Sequence, residues 1–109
     1  FIYYLYKKGY TDSMRRPKKS KYKSVVIRKK RYYFYEITWM DPTGDSGHAT
    51  WHDSFGLTPS IMVTHAYLFE KGRKYVWTFG SHEKDDELFS DRNVFPRGCI
   101  LKMEKVILK

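Results

Sequence analysis

The sequence contains a single cysteine and no apolar run long enough for a membrane-spanning helix. Cys99 cannot form an internal disulfide, so the chain is not a secreted scaffold held together by disulfides. A spanning helix needs roughly 20 apolar residues in a row, and no stretch approaches that length. With 109 residues the chain is long enough for one domain, which excludes a two-domain enzyme.

Patterns typical of catalysis or metal binding are also missing. His48 and His52 are four residues apart, but no cysteine pair and no further histidine completes a set of metal ligands. The glycines are not spaced to cradle a phosphate. The consecutive acids 85–87 are expected in a loop, where their carboxylates would point in different directions. We therefore predict a protein that is not an enzyme and that uses no metal or cofactor.

Positive charge is abundant and unevenly distributed. Residues 1–34 hold twelve Lys and Arg and one acid, Asp12, whereas residues 35–109 hold nine basic and eleven acidic residues. This asymmetry predicts a basic N-terminal arm, residues 1–31, followed by a mildly acidic globular domain, residues 32–109. The first residue is not methionine and Met14 opens the basic cluster, so residues 1–13 are expected to lie upstream of the natural start.

The basic arm is interleaved with tyrosine, a pattern typical of nucleic-acid binding. Release of counterions condensed on the phosphates would drive such contacts. A solvated tail that keeps the protein soluble is the alternative. A membrane surface is not favoured, because the arm has no sustained apolar helical face. The arm residues predicted to contact nucleic acid are Arg15, Arg16, Lys18, Lys19, Lys21, Lys23, Arg28, Lys29, Lys30 and Arg31.

Apolar and polar residues alternate with a period of two, which predicts an all-β fold. Strands are expected at 33–39, 48–52, 61–70, 74–81 and 99–108, with an acidic loop at 82–92. Five short strands in about 75 residues predict a small, strongly bent barrel. A domain of that size buries only roughly 60% of its chain surface. We therefore expect its exposed strand edges to pair with identical subunits in a homo-oligomer.

The chain has twenty aromatic residues, and most of them fall at alternating strand positions. Such side chains are expected in the core. Phe55 differs because it falls in a predicted loop, where an aromatic ring is available to stack on a base. The aromatic residues predicted to form the core are Trp39, Trp51, Tyr75, Trp77 and Phe79.

Two segments resemble the motifs of Sm and Sm-like RNA-binding proteins. In the first motif of that family a glycine is followed by a small apolar residue, an aspartate and a stacking side chain. The second motif centres on Arg-Gly before the last strand, which Arg97 and Gly98 match. Leu57 stands where the family has an asparagine that bonds a base. The first motif is matched by Gly47, Ala49, Asp53 and Phe55.

This resemblance implies a five-stranded Sm-like barrel of the Src-homology-3 type. It implies that the fourth strand of one subunit pairs with the fifth strand of the next, in a ring of about five to seven identical subunits. RNA or single-stranded nucleic acid would be the ligand, in the cytoplasm. Phe55 would stack a base near the pore, Arg97 would hold a base or phosphate, and Gly98 would permit close approach. Asp53 would organise its own loop through hydrogen bonds.

The segment 95–100 supports a second interpretation. It is similar to the crossing before the last strand of Src-homology-3-like barrels, which bind proline-rich peptides or serve as structural phage modules. The acidic loop at 82–92 and exposed aromatic side chains would suit that role. The opening aromatic dipeptide of the peptide-binding members is not evident. A third interpretation is a purely structural ring whose arm contacts a packaged genome.

Overall fold

A computed structural model describes residues 21–108. Within them the regular elements are strands and short 3-10 turns, which confirms the all-β prediction. No helix in this part of the chain has the length and apolar character needed to cross a membrane. The expected start at Met14 and four arm residues, Arg15, Arg16, Lys18 and Lys19, lie outside the described range. The strands are β1 (Ser24–Ile27), β2 (Lys30–Asp41), β3 (Ser60–Lys71), β4 (Tyr75–Phe79), β5 (Ser81–His82), β6 (Phe89–Ser90), β7 (Asn93–Pro96) and β8 (Ile100–Lys105).

The main sheet is antiparallel and is organised around β2. β3 lies on one side of β2, and β4 and then β7 continue the sheet beyond β3. On the other side of β2, β1 pairs with its first residues and β8 with its later residues. The two short strands β5 and β6 form a separate pair. The long strands β2 and β3 carry the alternating aromatic and β-branched residues that favour extended structure.

β1 and β8 meet beside the middle of β2. The backbone of Phe34 accepts a hydrogen bond from Val106 at 3.0 Å and donates one to Lys23 at 2.9 Å. The amide of Lys23 in turn donates to the carbonyl of Val106 at 2.8 Å. The described part of the predicted arm is therefore paired with the sheet, and residues 24–31 form the β1–β2 hairpin.

The prediction of a strand at 48–52 is wrong. Residues 42–50 have no strand pairing, and a 3-10 turn at Asp53–Gly56 follows. The missing strand is replaced by β7, which lies in the segment expected to be only a crossing. The last strand is shorter than expected, ending at Lys105. The strand predicted at 74–81 is divided into β4 and the first residue of β5, and β6 lies inside the predicted acidic loop.

The sheet packs apolar residues on both faces. In antiparallel pairs, residues opposite one another share a face and successive residues alternate. One face carries Phe79, which contacts the rings of Tyr32, Tyr67 and Phe89 at centroid distances of 5.3, 5.4 and 4.7 Å. This face is called face A. The opposite face, face B, has its own buried residues, which include Ile37, Ala66, Val76 and Phe95.

The sheet is not closed within residues 21–108. β7 pairs only with β4, and β8 pairs only with β2. Each of the two strands that flank the 3-10 turn at Arg97–Cys99 therefore has one unpaired edge in this part of the chain. An unpaired edge presents backbone donors and acceptors that another strand can bind.

Candidate nucleic-acid interface

Phe55 is exposed, as the loop assignment predicts, and it is not alone. Its ring packs edge-on against Trp51, with the centroids 4.9 Å apart. Phe55 is 69% exposed and Trp51 79% exposed. The prediction that Trp51 belongs to the core is wrong, because residues 48–52 do not form a strand that would turn it inward. The loop between β2 and β3 thus presents two adjacent aromatic rings.

The turn that carries this aromatic pair is held by local hydrogen bonds to Thr50. The Thr50 hydroxyl accepts from the amide of Asp53 at 3.1 Å. Its carbonyl accepts from the amide of Ser54 at 3.0 Å and from the Ser54 hydroxyl at 2.8 Å. Such side-chain bonds to nearby backbone stabilise turns in place of regular structure. The Asp53 backbone, rather than its carboxylate, contributes this bond to the loop.

Arg97 lies in the 3-10 turn that connects β7 to β8, and it is exposed. Its Nη1 donates to the carbonyl of Gly72 at 2.9 Å, and its backbone amide donates to the carbonyl of Lys74 at 2.9 Å. The β3–β4 turn is therefore the neighbour of Arg97. A Cβ on Gly72 would lie 3.0 Å from the ring of Trp77, so the glycine allows that ring to cover the turn.

Phe55 and Arg97 each pack on a different neighbour, but the segments that follow them meet. Leu57 and Pro59, after Phe55, line the same shallow groove as Gly98 and Cys99, after Arg97. The groove has a volume of about 370 Å³. A Cβ on Gly98 would have no heavy atom within 4 Å, so the packing of the chain itself does not require a glycine there. The space above this turn is open to a ligand.

Lysines and aromatic rings come together where β1, β2 and β8 meet. Lys105 Nζ lies 4.1 Å from the ring centroid of Tyr33 and 5.2 Å from that of Tyr22. Lys21 Nζ lies 5.3 Å from the same Tyr22 ring. Arg31 shares its strand face with Tyr33, and its Nη1 donates to the Ser24 hydroxyl at 2.6 Å. Arg31, Tyr33 and Lys105 lie on face B, and Tyr22, with Lys21 over its ring, contacts Lys105 from the preceding segment. We call the set of Lys21, Tyr22, Arg31, Tyr33 and Lys105 the basic–tyrosine cluster.

Two further lysines contact rings on face A. Lys23 Nζ lies 4.0 Å from the centroid of Phe34, and Lys30 Nζ lies 5.3 Å from that of Tyr32. Because Phe34 follows Tyr33 in the same strand, its side chain points to the opposite face. Cations positioned over aromatic rings stabilise exposed sites by about 0.5–1 kcal/mol each. The basic residues of the hairpin therefore have ordered positions on both sides of the sheet.

The β1–β2 turn carries two cations in a backbone conformation that disfavours them. Arg28 has a φ of 47° and Lys29 a φ of 69°. A two-residue hairpin turn with both φ angles positive normally has Asn-Gly or Asp-Gly, and a left-handed conformation costs other residues roughly 1–2 kcal/mol each. The turn therefore places two cations at its tip despite their backbone preference.

Arg28 connects the basic hairpin to the acidic loop. Its Nη2 donates to Asp86 Oδ1 at 2.7 Å, and its Nη1 lies 3.9 Å from Glu87 Oε1. The pKa of Asp86 lies below its ordinary value of 3.8, first because the Glu87 amide donates to the carboxylate and second because Arg28 does. Both groups are exposed, so solvent screens this ion pair and its contribution to stability is small.

The sequence predicts nucleic-acid contacts for the six basic arm residues that the structure describes, but it does not single out Lys105, Tyr22 or Tyr33. These six are Lys21, Lys23, Arg28, Lys29, Lys30 and Arg31. Lys105 is 72 residues after Tyr33, and only the β2–β8 register brings them together. Tyr22 and Tyr33 were expected as ordinary arm and strand residues. A weak signal is present, because Tyr22 stands between Lys21 and Lys23, and Tyr33 follows Arg31 by two residues.

Neither a family model, nor a curated protein, nor a solved structure matches the chain. In the part of the chain that the structure describes, no group of three or more His, Cys, Asp or Glu side chains is arranged to hold a metal ion.

Proposed function

We propose that the protein binds single-stranded nucleic acid, with RNA as the favoured ligand, through the basic–tyrosine cluster. The observation that carries this proposal is the packing of Lys105 between the rings of Tyr22 and Tyr33, with Lys21 and Arg31 beside them. Sites for single-stranded nucleic acid combine cations that track the phosphates with aromatic rings on which bases stack. Lys21, Arg31 and Lys105 bind phosphates, and the two tyrosines stack bases.

The exposed Trp51–Phe55 pair supplies a second stacking position. Base stacking on an aromatic side chain contributes about 1–3 kcal/mol per base and tolerates any base sequence. The open space above Gly98 and the nearby Arg97 agree with the roles that the resemblance to Sm-like proteins implies. In this proposal Phe55 stacks a base and Arg97 binds a phosphate or base. Arg97 must then exchange its bond to the Gly72 carbonyl for a bond to the ligand.

Assembly into a ring of Sm-like barrels is the second part of the proposal. Its support is the pair of unpaired edges on β7 and β8, on either side of the Arg97–Cys99 turn. Pairing β7 of one subunit with β8 of the next would cover both edges and repeat the nucleic-acid site around the ring. Light scattering tests this directly. A monomer at micromolar concentration would contradict the ring, but it would not contradict nucleic-acid binding at the basic–tyrosine cluster.

Fluorescence anisotropy with labelled oligo-U and oligo-A tests the binding site. We expect wild-type protein to bind both, and Tyr33→Leu to weaken binding about tenfold because one stacked base is lost. Tyr75→Leu is the matched control, since Tyr75 is an exposed tyrosine on face A and outside the cluster. Phe55→Ala is expected to weaken binding to a similar extent, with Val63→Ala, an exposed residue of β3, as its control.

Two results would contradict the proposal. Equal binding by wild-type, Tyr33→Leu and Phe55→Ala proteins would show that neither aromatic site stacks a base. Complete loss of binding on deletion of residues 1–20, with no effect of any cluster substitution, would assign binding to the preceding basic segment alone.

A further inference from the structure

A second and larger groove lies on face A, opposite the basic–tyrosine cluster. It is formed between β4, β7 and the segment that contains β6, and it has a volume of about 730 Å³. This lies within the range of ligand pockets, roughly 300–1,000 Å³. The nucleic-acid proposal does not use it. Its floor is formed by Phe69, Trp77, Leu88 and Val94, and its rim by Glu87, Asp91 and Arg92. We call it the acidic groove, because carboxylates outnumber basic groups on the rim.

The large apolar side chains that form the floor of the acidic groove are unusually exposed. Leu88 is 62% exposed, Val94 54%, Phe69 40% and Trp77 39%. The predicted burial of Trp77 is therefore wrong, as it is for Tyr75, because on this face of β4 only Phe79 is covered by neighbouring side chains. Contiguous exposed apolar surface bounded by polar residues is typical of a protein interaction site.

The charge around this groove is opposite to that of the whole chain. The segment 83–92 holds five acids and two basic residues, in a protein with a formal net charge of +9. Two of its carboxylates already lie beside a guanidinium group, since Arg28 contacts both Asp86 and Glu87. A phosphate backbone would be repelled by this rim, whereas a cationic segment would be attracted.

We propose that the acidic groove binds an extended segment of a partner protein in which aliphatic residues alternate with Arg or Lys. In an extended segment, alternate side chains point in opposite directions. Aliphatic side chains on one side enter the floor between Trp77, Leu88 and Val94. The flanking Arg or Lys side chains leave the segment on its solvent side, and their long stems bend back so that the charged ends contact Glu87 and Asp91 at the rim. The chain thus has two binding surfaces of opposite charge, one on each face of the sheet.

The test uses a labelled peptide in which three arginines alternate with two valines, capped at both ends. Two control peptides of the same length, called its twins, are compared with it. In one the arginines are replaced by glutamate, and in the other the valines are replaced by serine. We expect the Arg-Val peptide to bind wild-type protein and to shift the backbone amide NMR signals of Leu88, Phe89 and Val94. Both twins are expected to bind about tenfold more weakly.

Variants locate the site on the protein. Leu88→Ser is expected to weaken the Arg-Val peptide about tenfold, whereas Val63→Ser, an equally accessible change on β3, leaves binding unchanged. Circular dichroism checks that both variants fold. Glu87→Gln tests the rim separately and is expected to reduce the dependence of binding on salt.

Three results would overturn the proposal. The first is absence of binding by the Arg-Val peptide. The second is equal binding by the serine twin, which would reduce the interaction to general ionic attraction. The third is displacement of the peptide by oligo-U together with shifts in the same groove amides, which would make nucleic acid the occupant. None of them depends on whether the basic–tyrosine cluster binds nucleic acid.

Discussion

The basic–tyrosine cluster on face B and the acidic groove on face A both combine aromatic side chains with charge, but the predominant sign of the charge differs. In the cluster, Lys21, Arg31 and Lys105 surround Tyr22 and Tyr33. At the acidic groove on face A, Glu87 and Asp91 lie with Arg92 around a floor that includes Trp77. The apolar part of such a surface is compatible with many ligands, whereas the sign of the surrounding charge selects between polyanions and cationic peptides. One small sheet can thus carry two surfaces that exclude one another's ligands.

The aromatic packing around Phe79 supports both regions, so its removal has the largest expected effect. Phe79 is fully buried and packs on Tyr32 of the basic hairpin and on Phe89 beside the acidic groove. Phe79→Ala should lower the free energy of unfolding by about 3–5 kcal/mol, because a buried ring leaves a cavity. Urea denaturation measures this, and Tyr75→Ala, on the same strand but exposed, is the control. A loss below about 1 kcal/mol would mean that the two regions do not share this core.

Substitutions at the tip of the β1–β2 hairpin test whether Arg28 and Lys29 lower the stability of the fold while contributing to binding. Replacing Arg28 by Asn and Lys29 by Gly should raise the free energy of unfolding by about 1 kcal/mol, because the new residues suit two positive φ angles. The loss of the Arg28–Asp86 ion pair offsets little of this gain, because the pair is exposed. The same protein should bind oligo-U several-fold more weakly. Increased stability with unchanged binding would show that these cations do not contact nucleic acid.

Thr78 offers a substitution that should leave both surfaces unchanged. Its hydroxyl is buried and has no hydrogen-bond partner. Leaving a buried polar group unpaired costs about 1–3 kcal/mol, so Thr78→Val should raise the free energy of unfolding by about 1 kcal/mol. Binding of oligo-U and of the Arg-Val peptide should not change. Thr78→Ser, which keeps the hydroxyl, is the control, and a destabilised valine variant would contradict the unpaired hydroxyl.

Removing the Arg28–Asp86 contact, which links the basic hairpin to the acidic loop, has the smallest expected effect. Because Arg28 lowers the pKa of Asp86, Arg28→Gln should raise it toward 3.8. It should remain below that value, since the Glu87 amide still donates to the carboxylate. A carboxyl whose pKa is lowered in the folded state stabilises the fold at pH values above its ordinary pKa. This contribution is lost as the pH falls through the lowered pKa of the folded state. NMR titration of the Asp86 carboxyl measures the shift, and Arg92→Gln should not produce it.

The local sequence pattern predicts part of the fold and of the exposed surface. The alternation of residues predicts β3, which is observed at Ser60–Lys71, and the loop position of Phe55 predicts its exposure. The same alternation fails at 48–52, where the chain forms a turn held by Thr50, so the exposure of Trp51 was missed. Apolar and polar residues can alternate in a loop as well as in a strand, and sheet pairing decides between them.

The surfaces themselves depend on non-local pairing. Lys105 reaches Tyr33 only because β8 pairs with β2 in one particular register, and a shift by one residue would turn it to the other face. Likewise, Leu88 and Val94 share a groove with Phe69 only after β4 has paired with both β3 and β7. Composition indicated basic and acidic segments, but only the register places the basic–tyrosine cluster and the acidic groove on opposite faces.

The salt dependence of oligo-U binding tests the central claim most directly. For single strands the logarithm of the affinity falls with the logarithm of the salt concentration, by a slope of about −0.7 per phosphate bound. If Arg31 and Lys105 each bind a phosphate, the double variant Arg31→Gln, Lys105→Gln should have a slope smaller in magnitude by about 1.4 than that of the wild type. A slope unchanged by this double substitution would contradict a nucleic-acid site at the basic–tyrosine cluster.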